Sequence, residues 1–491
     1  MFSSLMKRSN FKQAVVVIFL FDIFVRVIQF LRELAFSTFY GFSKVTDAFN
    51  FTVNILGTPL NLIADALLVG IIPSLNKKES MQEKTNYVFS LMIAFTSIIT
   101  VLFIGYFSFF SYFMKLLAPG FESDTLTLTF KFSILYSGIG LLLVLNRIID
   151  NFFRSEKIFG LANFTNLVSS VISILILFLL YKQTSLAITI GMLVGTILSF
   201  AILFSRLPLK KMTCFDRDAV VLIKNSLPLL ISGGLGVINT FVDKSFATLF
   251  ASGTLTILSY SNMIVLLISS VITNAISSAS YSFVASEIAN NEFKKVQARV
   301  SQINFFFLFI YSLICLLYII LGEFFLKLLF HRGNISLTDI DMLYRLTLIF
   351  IPMTIFSSTG SIVLQVFYSF NNLKVTTIIN SMCVLLNILL NFLFIKKFGV
   401  YTLAGSTLIS SIAATLINSY FLYKKYQIWA LDFRMILFAS FITVFTISCL
   451  ILDDLWLQLI ILLGLMLVFV IIFNKESKEI KTLFKGYVLR K

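Results

Sequence analysis

The sequence predicts an all-α, polytopic membrane protein with about fourteen transmembrane helices. Of its 491 residues, 58% are hydrophobic and only 13% are charged, which is about half the charged fraction of a soluble globular domain. Apolar runs of about 20 residues, the length that a helix needs to cross the bilayer, follow one another from Lys12 to Phe473. The gaps between these runs are short, so we expect no soluble domain of any size.

Each apolar run delimits one predicted membrane-spanning helix. The fourteen predicted spans are 11–36, 47–75, 87–114, 126–151, 158–182, 186–206, 218–250, 254–286, 299–330, 341–369, 374–396, 401–423, 433–452 and 455–474. An even number of spans places both termini on the same side of the membrane.

Basic residues exceed acidic ones and give a formal net charge of +16. Most of them lie in the gaps between apolar runs, so we expect contact with anionic membrane lipids and no nucleic-acid partner. Alternate gaps differ in charge: one set carries Lys77, Lys84, Arg154, Arg206 and Lys424, and the other carries Glu122 and Asp454. By the positive-inside rule, both termini face the cytoplasm.

Charged residues near the predicted helix ends are interpreted as anchors that reach the lipid headgroups. They include Lys131, Arg147, Asp150 and Arg345. Long side chains at such positions can lay an apolar stem along the helix and keep the charged group in water.

The sequence offers no pattern for a bound cofactor, a metal site or enzyme chemistry. The four cysteines are isolated and lack metal-ligand spacing. The single histidine, His331, lies in a short predicted outer loop, where a structural role is expected. No nucleotide-binding loop occurs, so an ion gradient or the membrane potential would have to supply energy. The short outer loops disfavour a polysaccharide polymerase or a lipid-linked glycosyltransferase.

Two distant parts of the chain resemble each other at an offset of about 215 residues, and internal repeats of this kind are typical of secondary transporters. Residues 152–155 match 367–370, and residues 47–50 match 259–262. The simpler interpretation is that any two apolar helices look alike. The repeat predicts two six-helix lobes, 1–210 and 211–425, followed by two C-terminal helices and a basic tail in 426–491.

The first predicted helix carries an unusual stripe of polar side chains. Asp22, Arg26, Gln29 and Glu33 recur at i, i+4, i+7 and i+11, with Arg32 beside them, so they share one helix face. A charge in a membrane core costs about 2.5–3.5 kcal/mol even on lenient scales. The stripe therefore predicts a water-filled cavity that binds an anion, although ion pairing between helices or snorkelling would also satisfy these groups.

Five further polar residues are candidates for ion coupling or gating. Asp47 and Asp65 lie in the second predicted helix, and Asn239, Asp243 and Lys244 lie in the glycine-interrupted seventh. A lone carboxylate inside an apolar run suits proton or cation coupling. The adjacent Asp243 and Lys244 are equally consistent with a pair at the membrane surface.

The opening of the chain carries the arginines and acid of residues 26–33, then Gly41 and Thr46-Asp47-Ala48-Phe49. In this order, these motifs resemble the opening of the lipid II flippase (MurJ) family. Later matches in the same order are Val242-Asp243, Ser259-Tyr260, Arg332-Gly333, Val366-Phe367-Tyr368, Leu386-Asn387, Asn391, Gly399 and Leu403-Ala404-Gly405. The resemblance extends from about residue 12 to 425 and places the chain in the multidrug/oligosaccharidyl-lipid/polysaccharide exporter superfamily.

This resemblance implies a flippase of the bacterial cytoplasmic membrane that serves peptidoglycan synthesis alongside other envelope-synthesis proteins. Its substrate would be an undecaprenyl-diphosphate-linked saccharide moved from the inner to the outer face. Arg26 and Arg32 would contact the diphosphate, with Glu33 as their acidic companion. Guanidinium groups suit this role because they make bidentate, charge-assisted hydrogen bonds to phosphate.

Two positions depart from the family pattern. Leu60-Asn61 stands where the family usually has an arginine pair, and Asn262-Met263 stands where it usually has Asp-Arg. A flippase for another lipid-linked saccharide, of a capsule, exopolysaccharide or teichoic-type polymer, is therefore an alternative. A cation-coupled multidrug exporter, with Asp22, Asp65 or Asp243 as the coupling acid, is a further one.

Overall fold

The computed structural model of the chain describes residues 11–208, 216–370, 372–431, 433–449 and residue 464. All regular secondary structure within these residues is helical. Thirteen of the fourteen predicted spans coincide with helices. The last, 455–474, lies outside the described residues except for residue 464, as does the basic tail. The prediction of an all-α polytopic fold is confirmed.

Nine helices form the first part of the chain. They are α1 (Phe11–Tyr40), α2 (Lys44–Thr52), α3 (Thr58–Asn76), α4 (Met81–Ser108), α5 (Phe110–Leu117), α6 (Ser123–Ser155), α7 (Gly160–Leu180), α8 (Ala187–Phe204) and α9 (Arg217–Ala247). A single π-helical turn, Val53–Gly57, joins α2 to α3 without a break.

Seven helices follow. They are α10 (Thr254–Ala289), α11 (Phe293–Phe330), α12 (Leu337–Phe350), α13 (Met353–Ser369), α14 (Leu373–Phe398), α15 (Tyr401–Tyr426) and α16 (Phe433–Ser448). Among the described residues, nine helical segments are long and apolar enough to cross a membrane. Helices suit this setting because they satisfy every backbone hydrogen bond internally.

The chain divides into two compact units. The first comprises Met1–Ile257 and Leu329–Ser336, and the second comprises Leu258–Leu328 and Leu337–Lys491. Helix α10 therefore begins in the first unit and continues in the second. The lobes 1–210 and 211–425, with the C-terminal region 426–491, were drawn from the sequence repeat and stay a prediction.

Helix α6 is the centre of the first unit. It packs against α2, α3, α4 and α8, while α7 packs against both α8 and α1, and α9 packs against α3. The buried contacts of this core include Leu60, Tyr87, Val144, Ile148 and Phe152. The aliphatic and aromatic faces of these helices interlock, which fixes the side of α6 that remains free for polar groups.

A short loop closes the end of α1 within the first unit. Gly333 has a positive φ of 65°, and a Cβ atom there would lie 2.1 Å from the backbone oxygen of Thr38. The neighbouring Asn334 donates a hydrogen bond from Nδ2 to the carbonyl oxygen of Phe39 at 2.8 Å. Only glycine fits this close approach, which explains the Arg332-Gly333 step noted in the sequence.

The second unit is built around the paired helices α14 and α15, with α13 packed on α15. Buried amides and hydroxyls join the pair: Asn391 donates to Asn387 at 3.1 Å, and Ser406 donates to Asn391. Asn304 of α11 donates to the carbonyl oxygen of Ala430 at 2.6 Å, ahead of α16. These contacts satisfy polar groups that hydrocarbon would not.

Candidate functional site

A polar cavity of about 640 Å³ lies inside the first unit, between α1, α3, α6, α7 and α8. Its charged lining consists of four arginines and one acid: Arg26, Arg32, Arg147, Asp150 and Arg154. Such a concentration of charge within a bundle of apolar helices calls for water or a ligand, because desolvated charges are costly.

Uncharged polar side chains complete most of the cavity wall. They are Gln29, Asn61, Asn146, Asn163, Asn166, Ser169, Ser170, Ser173, Thr196 and Ser199. Small apolar groups, including Ala162 and Met192, fill the remaining wall. Hydroxyls and amides can hydrogen-bond to sugar or phosphate oxygens, so the cavity offers donors on several sides.

The stripe predicted on the first helix forms one wall of this cavity. Arg26, Gln29 and Arg32 all line it. Arg32 Nη2 lies 2.8 Å from Glu33 Oε1, and Nη1 donates to Ser173 Oγ at 3.4 Å. The Arg32 side chain is 12% exposed, and its buried Nε has no hydrogen-bond partner in the described part of the chain. Glu33 thus orients the guanidinium and leaves a donor unused.

The other two members of the stripe, Glu33 and Asp22, do not line the cavity in the part of the chain that the structure describes. Glu33 does not line the cavity but contacts it through Arg32. The side chain of Asp22 lies outside the described residues. The predicted anion-binding roles of Asp22, Arg26, Gln29, Arg32 and Glu33 stay a prediction.

The interpretation of Arg147 and Asp150 as lipid-facing anchors was wrong. Both line the cavity, as does Arg154 one turn further along α6. Arg154 Nε lies 2.9 Å from each carboxylate oxygen of Asp150, which is 4% exposed. The spacing of these residues along one face of α6 was visible in the sequence, but hydropathy alone placed them close to a helix end.

Several buried polar atoms at the cavity have no hydrogen-bond partner among the described residues. They are Arg32 Nε, Asn146 Oδ1, Asn163 Nδ2 and Ser199 Oγ. Buried polar groups are nearly always paired, with protein, with water or with a ligand. Three of the four atoms are donors, so the cavity favours a ligand rich in acceptor oxygens.

Asp47 lies elsewhere in the first unit, at the start of α2. Its Oδ2 accepts a hydrogen bond from the backbone N–H of Gly253 at 2.6 Å, and its Oδ1 accepts from the backbone N–H and the hydroxyl of Thr256 at 2.8 and 2.6 Å. Buried Lys244 interacts electrostatically with both Asp47 and Asp243. Asp47 therefore fastens α2 to the N-terminal end of α10.

The other coupling candidates lie apart from the cavity lining. Asp65 is exposed on α3, and Asn239 and Asp243 are half-buried on α9. No group of three or more His, Cys, Asp or Glu side chains is placed to hold a metal ion in the residues that the structure describes. The predicted gating or coupling roles of these residues and of Asp47 and Lys244 stay untested.

A family model described as lipid II flippase MurJ matches residues 36–475. The chain belongs to the lipid II flippase MurJ family. It is a multi-pass membrane transporter rather than an enzyme. The match begins just after the arginine stripe of α1 and includes the Thr46-Asp47-Ala48-Phe49 motif.

Two curated relatives are named "Probable lipid II flippase MurJ". The protein of Borreliella burgdorferi is 22% identical over 436 residues, covering 86% of this chain and 85% of the relative. The protein of Bdellovibrio bacteriovorus is 25% identical over 247 residues, covering 48% of this chain and 46% of the relative. In that second match the chain spans less than half of the relative's length.

Two solved transporter structures share the fold of this chain. A lipid II flippase MurJ in an inward closed conformation superposes with a TM-score of 0.76 at 21% identity, covering 93% of this chain and 99% of that one. An inward-facing multidrug transporter of the MATE family gives a TM-score of 0.71 at 12% identity, covering 82% and 94%. Both identities are low, so these two likenesses show that the chain shares the fold of these transporters.

Proposed function

We propose that this chain moves lipid II, an undecaprenyl-diphosphate-linked saccharide, from the inner to the outer face of the bacterial cytoplasmic membrane. The arginine-lined cavity of the first unit is the observation that carries the proposal. Membership of the MurJ family supports it, because the family is defined by lipid II flippases.

The cavity has the size and chemistry for a phosphate-bearing headgroup. Its volume of about 640 Å³ falls in the usual range of ligand sites. Arg26 and Arg32 supply guanidinium groups that can each bind a phosphate in bidentate fashion. Gln29 and Asn61 line the same cavity and can hydrogen-bond to sugar hydroxyls or phosphate oxygens.

Transport would proceed by alternating exposure of the bound headgroup to the two faces of the membrane. No cofactor takes part in this proposal, and the membrane potential or a monovalent cation supplies the driving force. A substrate that carries about two negative charges responds strongly to potential, since one charge across 100 mV changes its free energy by about 2.3 kcal/mol. The candidates for coupling or gating are Asp47, Asp65, Asn239, Asp243 and Lys244.

The proposed topology places both termini in the cytoplasm. Basic loops then face the anionic inner leaflet, which attracts lysine and arginine. This face is also the one on which cytoplasmic envelope-synthesis enzymes would deliver the substrate, so partners from that machinery are expected there.

A related saccharide-lipid is the second candidate substrate. Asn61 is neutral and lines the cavity, at a position where the family resemblance leads one to expect arginine. A less cationic wall suits a headgroup with fewer anionic groups or with different sugars. A capsule, exopolysaccharide or teichoic-type precursor would fit that description.

Complementation tests the proposal. We expect the gene to rescue cells depleted of their own lipid II flippase, with lipid II becoming accessible on the outer face. Arg26→Ala and Arg32→Ala should abolish rescue while the protein still accumulates in the membrane. Lys131→Ala is the matched control, since Lys131 is exposed on α6 and does not line the cavity.

Three results would contradict the proposal. One is rescue by both arginine variants at the wild-type level. Another is failure of the well-expressed wild-type protein to rescue, accompanied by restored export of a different saccharide-lipid, which would favour the second candidate. The third is altered drug susceptibility on deletion with no effect on envelope polymers.

A further inference from the structure

Helix α6 brings a second row of charged side chains to the cavity of the first unit. Arg147, Asp150 and Arg154 line it together with the apolar Leu143, at i+4, i+7 and i+11 from that leucine, which is the spacing of a single helix face. The same spacing describes the stripe on α1. Two arginine-bearing faces therefore border one cavity.

The four arginines of the cavity differ in whether a carboxylate neutralises them. Arg154 is paired with Asp150, and Arg32 is paired with Glu33. Arg26 and Arg147 make no hydrogen bond or ion pair with any residue that the structure describes. Arg26 is exposed to the cavity and Arg147 is half-buried there, so two guanidinium groups face a common space.

Two polar side chains near Arg147 each have a buried atom without a hydrogen-bond partner among the described residues. Asn146 precedes Arg147 on α6, and Asn163 lies on the neighbouring helix α7. Both side chains are buried, at 8% and 3% exposure, and both line the cavity with an unpaired polar atom. A ligand with several negatively charged oxygens would satisfy the guanidinium and the Asn163 amide group together.

We propose that Arg147 is a substrate-binding residue that, together with Arg26, holds the diphosphate of the transported lipid, each guanidinium engaging one phosphate. This inference rests on the proposed function and adds a binding residue from α6 to those on α1. A diphosphate can offer one phosphate group to each of the two guanidiniums, so we expect the pair to bind it more tightly than a monophosphate. Arg147 would then determine how strongly the cavity prefers a diphosphate to a monophosphate.

Equilibrium binding to the purified full-length protein tests this role. The ligands are undecaprenyl diphosphate, undecaprenyl monophosphate and inorganic pyrophosphate, each titrated by native mass spectrometry. For Arg147→Gln we expect Kd for undecaprenyl diphosphate to rise about tenfold or more, as expected for loss of a charged hydrogen bond. Kd for the monophosphate should change much less, so the preference for diphosphate should fall.

Three further variants separate a binding role from a structural one. Arg147→Lys keeps the charge but loses the planar fork, so part of the preference should return. Lys131→Gln, on the same helix outside the cavity, should leave both Kd values unchanged. Arg26→Gln should lower the diphosphate preference as Arg147→Gln does.

The outcomes distinguish this inference from the proposed function. Wild-type rescue that depends on Arg26, combined with an unchanged diphosphate preference in Arg147→Gln, would overturn only the role of Arg147. Equal weakening of both lipids with a lowered thermal midpoint in the Gln and Lys variants would indicate a structural role and also overturn it. Inorganic pyrophosphate binding as tightly as the lipid would refute the lipid assignment. Absence of diphosphate binding and of rescue by the wild type would remove both proposals.

Discussion

Asp47 Oδ1 lies 2.6 Å from the hydroxyl and 2.8 Å from the backbone nitrogen of Thr256, across 209 residues of sequence. The other carboxylate oxygen accepts the N–H of Gly253. Asp47, which the sequence shows as a carboxylate inside an apolar run, therefore links α2 to the start of α10 through hydrogen bonds. Substituting Asp47 therefore tests whether these hydrogen bonds stabilise the fold.

Asp47→Asn should destabilise the protein. The amide nitrogen of asparagine cannot accept a hydrogen bond, so one of the N–H donors of Gly253 or Thr256 would lose its partner, at a cost of about 1–3 kcal/mol. The measurement is the thermal unfolding midpoint in detergent micelles. Thr256→Val removes only the hydroxyl and should shift the midpoint less, and equal midpoints for Asp47→Asn and wild type would contradict the fastening role.

Glu33→Gln should weaken transport and stability together. It removes the partner of Arg32, in a pair whose side chains are only 12% and 14% exposed, and breaking such a shielded pair costs about 1–3 kcal/mol. The control is Glu323→Gln, in a pair with Lys327 whose side chains are 54% and 49% exposed, where about 0–1 kcal/mol is expected. Similar midpoint shifts for the two variants would argue against a special role for Glu33.

Gly333→Ala should lower the thermal midpoint by loosening the loop from α1. The added Cβ would lie 2.1 Å from the Thr38 oxygen at a φ of 65°, so we expect a loss of more than about 1 kcal/mol. Gly405→Ala is the matched comparison, because nothing lies within 4 Å of a Cβ there, inside α15. That variant should be neutral or more stable, by up to about 1 kcal/mol, and a reversed order would refute the close-approach argument.

Lys78 provides a prediction about pH. Its Nζ lies 3.0 Å from Asp216 and 2.6 Å from Asp218, ahead of and within the first turn of α9. Burial by itself lowers the pKa of Lys78, but the hydrogen bonds to Asp218 and Asp216 outweigh it and raise the pKa above 10.5. A raised lysine pKa gives stability that is complete below the unfolded pKa and is lost as pH rises through the folded one.

The stability difference between wild type and Lys78→Gln should therefore be constant from about pH 6 to pH 9 and shrink only above about pH 10.5. Thermal midpoints of both proteins across this range provide the measurement. Lys77→Gln is the neighbouring control. If the stability difference between wild type and Lys78→Gln already shrinks between pH 7 and 9, the ion-paired Lys78 is not the source of that stability.

Much of the fold followed from hydropathy, since long apolar runs in a membrane have few alternatives to helices. The π turn at Val53–Gly57 did not, because its cause is local backbone geometry that apolar composition does not encode. On α1, the spacing of Arg26, Gln29 and Arg32 was sufficient to predict a common wet face. The sequence did not predict that Arg147 and Asp150 line the cavity, because a hydropathy boundary cannot distinguish a helix end at the lipid from a helix face turned inward.

Asp47 was recognised as unusual, yet its contacts could not be predicted. They depend on Gly253 and Thr256, which are far away in sequence and carry no charge pattern that links them to α2. Backbone donors of this kind have no signature in composition or periodicity. Only the packing of α10 against α2 in three dimensions identifies them.

The π turn between α2 and α3 also determines which way α3 presents Asn61, its residue in the cavity lining. A π turn accommodates one extra residue in the helix, and one residue corresponds to a rotation of about 100°. Everything after Gly57, including Asn61, therefore faces a direction that an uninterrupted α-helix starting at Lys44 would not have given it. Deleting a single amino acid between 53 and 57 would rotate α3 relative to α2. Asp47 would keep its hydrogen bonds to Gly253 and Thr256, while Asn61 would turn away from the arginines of the cavity.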